Sequence, residues 1–351
     1  MKLFFDEAEL AHRPTQFMVA GRIIPAVENP DRALTLAASL SAMGLERTTP
    51  PDQGLAPIHA VHADHYTAFL REAYEEFTAL PVHGPEVWPN VHPYRSAGPD
   101  FARRDPPRAT SIIGKAGWYV GDLACAIMAG TWTAAYAAAQ SALAGADAVI
   151  AGAPAAFALC RPPGHHAYAD RASGFCFLNN AAIAVERLRQ RFQRVAVVDF
   201  DTHHGDGTQA LFYTRADVLV CSSHTDPSIY YPFFVGYADE RGAGAGEGFN
   251  MNLPLPAGAD DAAFVAAVAR MRDEVVAFGA DALVISAGWD AHRDDPLSRL
   301  AVTTPAYARV GELLGGLRLP TLIVQEGGYS LPAVEEAAPT FMTAFRSASG
   351  A

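Results

Sequence analysis

Short apolar runs alternate with amphipathic segments through the second half of the chain. The runs lie at residues 155–160, 195–201, 217–222, 249–255, 282–287 and 320–325. Runs of this length, bounded by glycine or polar residues, are typical of strands that are buried on both faces of a parallel sheet. Segments with helical spacing lie between or after them, at 180–192, 207–213, 260–278, 304–317 and 332–348. This alternation predicts an α/β fold in which helices cover both faces of a parallel sheet.

The first half of the chain has a less regular pattern. We predict a strand at 2–5 and helices at 30–43, at 62–77 and within 117–144. Residues 80–113 follow neither period and contain many prolines, and a long irregular stretch inside a compact domain is usually functional. Because the chain contains no internal repeat and no low-complexity linker, we predict one domain over residues 1–351 with an inserted loop at about 80–113.

Composition narrows the class of protein. The net charge of -12 argues against a nucleic-acid partner and against an acidic membrane surface. The four cysteines have no CxxC spacing, which is typical of a reducing compartment, and we expect them to be small buried hydrophobic residues. The start, MKLFFDEAEL, has no apolar core segment, and polar residues interrupt the alanine-rich stretch 131–160. We therefore expect no signal peptide, no membrane span and a cytoplasmic location.

One predicted strand runs directly into a cluster of acidic and imidazole side chains. The segment VAVVDFDTHHGDGT occupies residues 195–208. Ligands bind beyond the carboxyl ends of such strands, and residues two apart on an extended segment point the same way, so Asp199, Asp201 and His203 can converge. A carboxylate and an imidazole that converge are zinc-type or iron-type ligands. The alternative, a salt-bridged strand end with a hydrated turn, is disfavoured because buried unpaired charge is costly.

Polar clusters follow four of the predicted strands and would meet at one edge of the sheet. They are His165 with His166, the segment 199–206, Asp290 and Tyr329. Asp201, His203 and Asp290 make a plausible three-ligand set. Three protein ligands leave one coordination position open for water or substrate, which distinguishes a catalytic zinc site from a structural one.

The remaining residues of these clusters suit proton transfer. Imidazole titrates near neutrality, so His165 and His166 suit general base and acid roles, and Asp199 and Asp206 are the acids that could fix their orientation. Tyr329 follows two glycines and can donate a hydrogen bond to a developing oxyanion. Taken singly, each feature is compatible with an ordinary turn, a helix N-cap or a core position. Their occurrence at successive strand ends favours a catalytic site.

Longer stretches carry a family resemblance over nearly the whole chain. The segments RPPGHH, SGFCFLNNAAIA, DFDTHHGDGT, SAGWD and EGGY and the triplet at 222–224 resemble the histone deacetylase superfamily. Within it, MKLFFDEAEL, GYADERGAGAGEG and the long insertion are most similar to the bacterial acetylpolyamine amidohydrolase branch. The resemblance implies the three-layer arginase/deacetylase form of the α/β fold and the hydrolysis of an amide bond by metal-activated water.

The resemblance also implies a role for each clustered residue. It implies Zn²⁺, with Fe²⁺ as the alternative, held by Asp201, His203 and Asp290. Two pairs are implied, His165 with Asp199 and His166 with Asp206, of which His166 is the main proton shuttle and Tyr329 the oxyanion donor. A potassium ion is implied beside five residues, mostly through backbone oxygens: Asp199, Asp201, His203, Ser222 and Ser223.

The same resemblance implies a substrate tunnel and a homo-oligomer. Phe175 and Tyr231 match the aromatic walls of the tunnel, whereas Gly164, Gly174 and Gly327 match positions where the backbone must come close. The insertion at about 80–113 matches a loop that builds a dimer and narrows the tunnel. We therefore expect a small-molecule amide as substrate and a homodimer or higher homo-oligomer.

Four positions depart from the pattern of this branch. Ile113 and Ala124 stand where polyamine-selective relatives can carry glutamates, and Tyr168 and Trp289 are bulkier than expected. If all four line the tunnel, it would better fit a small neutral amide, for example a xenobiotic such as dimethoate. Alternatively, a carboxylate from another part of the loop supplies the charge, the candidates being Glu86, Asp100 and Asp105.

Other functions remain as alternatives. A protein lysine deacetylase is disfavoured because the insertion would obstruct a protein surface. A metal-binding pseudoenzyme is disfavoured by the complete set of ligands, histidines and tyrosine. A manganese ureohydrolase of the same fold would need more aspartates at the strand ends.

Overall fold

A parallel sheet of eight strands forms the centre of the protein. The computed structural model describes residues 1–93 and 104–351, so Asp100 lies outside the described residues. The strands are β1 (Lys2–Phe4), β2 (Gln16–Val19), β3 (Arg22–Pro25), β4 (Glu46–Thr48), β5 (Ala155–Ala158), β6 (Val195–Asp199), β7 (Val218–Thr225), β8 (Asn250–Leu255), β9 (Ala282–Ala287) and β10 (Thr321–Gln325). The large sheet has the order β4-β1-β5-β10-β9-β6-β7-β8, whereas β2 and β3 form a separate antiparallel hairpin.

Helices cover both faces of this sheet. They are α1 (Pro30–Ala42), α2 (Ala56–His59), α3 (Asp64–Thr78), α4 (Ile112–Tyr119), α5 (Thr131–Ile150), α6 (Asn180–Leu188), α7 (Asp206–Phe212), α8 (Asp261–Phe278), α9 (Thr304–Gly315) and α10 (Leu331–Ser349). One hydrophobic core lies under α3 to α6, and a second lies under α1 and α8 to α10. Alternate residues of β6 enter the two cores, since Val195 and Val197 join the first and Ala196 and Val198 the second. The predicted α/β fold with helices on both faces is confirmed.

The predicted elements differ from the structure mainly in the first half. The helix predicted at 62–77 begins at Asp64, and α4 begins at Ile112, inside the stretch predicted as an insertion. Among its strands and α-helices, the structure adds four that we did not predict, namely β2, β3, β4 and α2. None of them exceeds four residues, which is too short for a hydrophobic period to be recognised in the sequence.

The cysteine side chains have the burial that we expected. All four cysteines are free and buried, as predicted. Across the two described ranges, every helix is too short or too polar to cross a membrane.

The fold brings the polar clusters together. Strands β5, β10, β9, β6 and β7 are consecutive neighbours, and every one of their pairings is parallel. The loops that follow these strands therefore leave the sheet at the same edge. They carry the candidate residues of the active site.

Candidate active site

Asp201, His203 and Asp290 converge in the middle of this edge. Their side chains are buried, and one ligand-type atom from each lies within 4.8 Å of the other two. His203 Nδ1 is 3.1 Å from Asp201 Oδ1 and 3.2 Å from Asp290 Oδ2. Ligand atoms of a tetrahedral zinc site lie about 3.3 Å apart, given the usual zinc–ligand bond lengths. The three residues therefore fit a zinc ion.

Backbone contacts fix the two carboxylates before any ion binds. The Gly327 N–H donates to Asp201 Oδ2 over 2.8 Å, and the Thr202 N–H donates to Asp290 Oδ1 over 3.0 Å. A Cβ atom at Gly327 would lie 2.1 Å from Asp290 Oδ2, so only glycine allows the loop to come this close. Burial, together with the charge of Asp201, raises the pKa of the Asp290 carboxyl to about 7. Two buried carboxylates this close favour a bound cation.

Two histidine–aspartate pairs lie beside this cluster. His165 Nδ1 is 2.9 Å from Asp199 Oδ2, and His166 Nδ1 is 2.6 Å from Asp206 Oδ1. The two imidazole centroids are 4.1 Å apart, and all four side chains are buried. Because each carboxylate is on Nδ1, each Nε2 is left for other chemistry.

The two pairs differ electrostatically. Burial acts to lower the pKa of His165, but the charges of Asp199 and Asp201 outweigh it and raise that pKa to about 10. Burial lowers the pKa of His166, and the neighbouring His165 lowers it further. The first histidine is therefore cationic near neutral pH, whereas the second is neutral and able to accept a proton.

Tyr329 follows β10 and is held in place by backbone hydrogen bonds. Its backbone N–H and that of Ser330 donate to Asp295 Oδ2, over 2.6 and 2.9 Å. The Arg32 guanidinium lies 4.5 Å from the centroid of the Tyr329 ring, and the Phe175 ring lies 5.6 Å away. Burial raises the pKa of the Tyr329 phenol well above its ordinary value. The hydroxyl therefore remains protonated and can act as a donor.

A second group of ligand-type atoms is less suited to a metal. His165, Cys176 and Glu326 also bring three such atoms within 4.8 Å of one another. Burial raises the pKa of the Cys176 thiol well above its ordinary value and that of the Glu326 carboxyl to about 7. The protonated thiol is thus a weak ligand, Glu326 Oε2 already accepts the N–H groups of Gly164 and His165, and His165 Nδ1 already faces Asp199.

Comparison with known proteins identifies this arrangement. A family model described as histone deacetylase domain matches residues 26–345. The chain belongs to the histone deacetylase superfamily. The relatives place it in the acetylpolyamine amidohydrolase branch, and it is a hydrolase that acts on amide bonds.

Two relatives and one crystal structure illustrate the similarity. The chain is 47% identical over 346 residues to the acetylpolyamine amidohydrolase of Burkholderia pseudomallei, covering 98% of each chain. It is 42% identical to acetylpolyamine amidohydrolase 2 of Pseudomonas aeruginosa, covering 96% of this chain and 95% of the relative. A crystal structure of the acetylpolyamine aminohydrolase from B. pseudomallei superposes with a TM-score of 0.94 over 99% of both chains.

Two of the residues predicted to line the deacetylase tunnel lie beside the catalytic cluster. The Tyr231 ring packs edge-on against His166, with a centroid distance of 5.0 Å, and Phe175 contacts Tyr329. Gly174 has a φ of +52°, and a Cβ atom there would lie 2.3 Å from His166 Cδ2. Glycine at this position allows the wall to approach the histidine.

Trp289 does not line the tunnel, which corrects our prediction. Its side chain is fully buried, and its ring packs against Phe200, Tyr307 and Phe341 in the second core. The indole N–H donates to Gln325 Oε1 over 2.6 Å. A large aromatic residue beside a candidate metal ligand can therefore point into the core rather than into the site.

Tyr168 makes a contact that we did not predict. Its side chain is only 8% exposed, and its hydroxyl donates to Asp206 Oδ2 over 2.8 Å. Because a buried phenol needs an acceptor, this hydroxyl is directed to the His166–Asp206 pair, and that the Tyr168 ring lines the tunnel stays a prediction.

The two apolar departures lie in different surroundings. Ile113 lines a surface pocket with Phe77, Leu80 and Trp88, away from the residues of the catalytic cluster. The Ala124 N–H donates to Asp122 Oδ1 over 2.9 Å. That Ala124 belongs to the tunnel stays a prediction, whereas the contacts of Ile113 argue against it.

Glu86 and Asp105, which could have supplied the charge of the missing glutamates, have different surroundings. Glu86 is buried, and its Oε1 accepts the N–H and the hydroxyl of Thr15. Asp105 is exposed. Neither carboxylate lies among the catalytic residues.

Sequence reasoning missed Asp122, a carboxylate that contacts two of the residues predicted to line the tunnel, Gly174 and Tyr231. Its Oδ2 accepts the Tyr231 hydroxyl over 2.7 Å, the Gly174 N–H over 2.8 Å and the Ser173 hydroxyl over 3.1 Å. The residue lies within the stretch predicted as helical, so it resembled one more exposed helix position. A signal was present, since Asp122 follows Gly121 and interrupts an otherwise apolar segment.

Tyr230 was missed as well. Its ring stacks on His203, with centroids 5.3 Å apart and an interplanar angle of 26°. Its hydroxyl donates to the Leu297 carbonyl over 2.6 Å. This contact covers one face of a candidate metal ligand.

The residues predicted to bind potassium come from the end of β6, the loop that follows it and strand β7. Asp199 and Ser222 are register partners on β6 and β7. Ser222 Oγ is 2.8 Å from His224 Nδ1, whereas Ser223 Oγ is buried and has no hydrogen-bond partner among the described residues. A buried hydroxyl left in this state is compatible with an ion nearby.

Proposed function

We propose that the protein is a zinc-dependent amidohydrolase that removes the acyl group from a small, cationic amide of the acetylpolyamine type. The observation that carries the proposal is the convergence of Asp201, His203 and Asp290 beside two histidine–aspartate pairs. The names of the relatives support it, because several acetylpolyamine amidohydrolases align with this chain over nearly their whole length.

Asp201, His203 and Asp290 would hold the ion, with Fe²⁺ as the alternative to Zn²⁺. A bound zinc ion polarises the amide carbonyl and lowers the pKa of a water molecule. Two of the ligands are carboxylates fixed by backbone N–H groups, so little reorganisation accompanies binding.

His166 would take the proton from the attacking water and return it to the leaving amine. Its Nδ1 faces Asp206, which keeps Nε2 free to accept, and its ring adjoins the tunnel wall at Tyr231. His165, paired with Asp199, would remain cationic and support the negative charge that develops. Tyr329 would donate its hydroxyl to the oxyanion.

A potassium ion would occupy the site behind these residues. The proposed ligands are oxygen atoms of Asp199, Asp201, His203, Ser222 and Ser223, mostly from the backbone. Support comes from the buried Ser223 hydroxyl, which has no partner within the described ranges.

The tunnel wall carries the charge that a cationic amide needs. Asp122 is only partly buried and lies beside Gly174 and Tyr231, next to His166. The argument for a neutral or xenobiotic amide depended on crowding by Tyr168 and Trp289, but the Trp289 ring lies in the second core and the Tyr168 hydroxyl is held by Asp206. No contact in the described residues favours that second substrate class.

We propose in addition that the chain forms a homo-oligomer through residues 80–113. A dimer built by this segment would place a loop over each tunnel and exclude a folded protein as substrate. Size-exclusion chromatography with light scattering on the full chain tests this point, and a monomer at micromolar concentration contradicts it.

Hydrolysis of a matched amide panel by the zinc-loaded protein tests the function. The panel contains acetylputrescine, acetylspermidine, an acetyl-lysine peptide and neutral N-methyl and anilide amides. We expect the acetylpolyamines to have the highest kcat/KM. Preference for the neutral amides would overturn the substrate class, preference for the peptide would indicate a lysine deacetylase, and inactivity on every amide would indicate a pseudoenzyme.

A further inference from the structure

A tyrosine occupies the far side of the His166–Asp206 pair. Asp206 Oδ1 faces His166 Nδ1 at 2.6 Å, and Asp206 Oδ2 accepts the Tyr168 hydroxyl at 2.8 Å. The three side chains are between 3% and 8% exposed. Both oxygens of the Asp206 carboxylate therefore have a hydrogen-bond partner, and the group is buried.

The other pair is held in a different way. In the His165–Asp199 pair, the second carboxylate oxygen accepts the backbone N–H of Asp201 over 3.0 Å. Within residues 1–93 and 104–351, no backbone N–H reaches Asp206 Oδ2. A backbone N–H thus holds the second carboxylate oxygen of Asp199, whereas the Tyr168 hydroxyl holds that of Asp206.

Tyr168 is itself fixed in place. Its N–H donates to the Arg171 carbonyl over 2.9 Å, which closes a turn two residues after His166. The Arg171 guanidinium lies 3.8 Å from the centroid of the Tyr168 ring, a separation at which cation–π attraction is strong. One short segment therefore carries both the histidine and the group that orients its partner.

We infer that Tyr168 is a positioning residue for amide hydrolysis, which holds the Asp206 carboxylate so that Oδ1 stays on His166 Nδ1. A carboxylate released at Oδ2 can rotate about its Cβ–Cγ bond and lengthen the contact with the histidine. The imidazole then loses its fixed tautomer and orientation, and Nε2 no longer points reliably at the reacting atoms. This inference rests on the proposed function, because it assumes that His166 moves the proton.

The Tyr168→Phe variant tests the inference, since it removes one oxygen and keeps the ring. We expect kcat for the preferred amide to fall about tenfold with KM and bound zinc unchanged, because a charge-assisted hydrogen bond is lost away from the substrate. Tyr136→Phe is the matched control: Tyr136 also donates to an aspartate, Asp52, but at the surface and far from the site. The control should retain full activity.

A double-variant comparison separates positioning from packing. In an Asp206→Ala background there is no carboxylate for the tyrosine to hold, so Tyr168→Phe should cost nothing further. If instead the two losses multiply, or if Tyr168→Phe alone leaves kcat unchanged, the inference is wrong.

An NMR measurement keeps this test independent of the proposed function. The Nδ1 proton of His166, assigned by its absence from His166→Ala, should resonate far downfield because its hydrogen bond is short. We expect that resonance to move in Tyr168→Phe and to stay in place in Tyr136→Phe. An unchanged resonance in Tyr168→Phe overturns the inference even if the protein hydrolyses none of the amides tested, an outcome that would by itself overturn only the proposed function.

Discussion

The two histidine–aspartate pairs have the same residues and lie side by side, yet the fold treats them differently. His165 lies against Asp199 at the end of β6, where the charges of Asp199 and Asp201 raise its pKa to about 10. His166 lies against Asp206 at the start of α7, where burial and the neighbouring His165 lower its pKa. Two pairs with the same residue types therefore need not have the same role, because their surroundings decide which histidine is charged.

The pairs also differ in what surrounds them. The first pair adjoins the zinc-type ligands, with His165 Nε2 3.9 Å from Asp201 Oδ2. The second adjoins the tunnel wall, since Tyr231 and Gly174 both contact the His166 ring. We expect the first pair to support charge and the second to move protons.

The largest effect is expected from loss of the metal ion, on which the proposed roles of both pairs depend. Asp290→Ala deletes one of the three zinc-type ligands, so we expect bound zinc, measured by atomic emission, to fall far below one ion per chain and hydrolysis to be lost. Neither pair has a function without the ion, so the difference between them should vanish. Retention of one zinc per chain would contradict the ligand assignment.

The next prediction compares the pairs directly. His166→Ala should lower kcat by about 10²- to 10⁴-fold, the range for loss of a general acid–base group, with zinc content unchanged. His165→Ala should have a smaller effect on kcat, about tenfold, because it removes a supporting charge. Steady-state kinetics of the two zinc-loaded variants on one amide decide the matter, and equal losses would mean that the pairs share the proton transfer.

Tyr329→Phe sharpens the comparison because it removes the oxyanion donor without touching either pair. Loss of one such donor lowers kcat by about 10²- to 10³-fold in other enzymes, and we expect a similar fall here with zinc retained. Tyr136→Phe, remote from the site, is the matched control. An unchanged kcat for Tyr329→Phe would remove this residue from the mechanism.

Sequence patterns predicted the sheet and the residues at its edge because both have simple physical signatures. Buried parallel strands are continuous apolar runs, and the chemistry follows where the runs end, so Asp201, His203 and Asp290 could be grouped from the sequence alone. The short strand β4 and the helix α2 have too few residues for such a signature.

The direction of individual side chains was harder to predict. Trp289 neighbours a candidate metal ligand along the chain, yet its ring lies in the second core. Tyr168 follows the paired histidines, yet its hydroxyl is directed to Asp206 because that carboxylate is the acceptor within reach. Bulk at a position does not reveal orientation, which depends on partners from distant segments.

Asp122 shows the same limit and gives the smallest expected effect. The carboxylate lies on the His166 side of the site, in the wall that would receive the cationic part of a substrate. Asp122→Asn removes the charge and keeps an acceptor for Tyr231 and Gly174, although its NH2 then faces the N–H groups of Ala124 and Cys125, so we expect KM for acetylputrescine to rise about tenfold and by more than KM for neutral amides.

Asp52→Asn is the matched control, because it removes an exposed charge that Tyr136 contacts far from the site. The measurement is the ratio of kcat/KM for acetylputrescine to that for a neutral amide of similar length, at two salt concentrations. A fall in this ratio that shrinks at high salt is the result expected of a charge effect. Equal losses on both amides would mean that Asp122 only holds the wall in shape, and the charge that selects the substrate would then have to come from elsewhere in the chain.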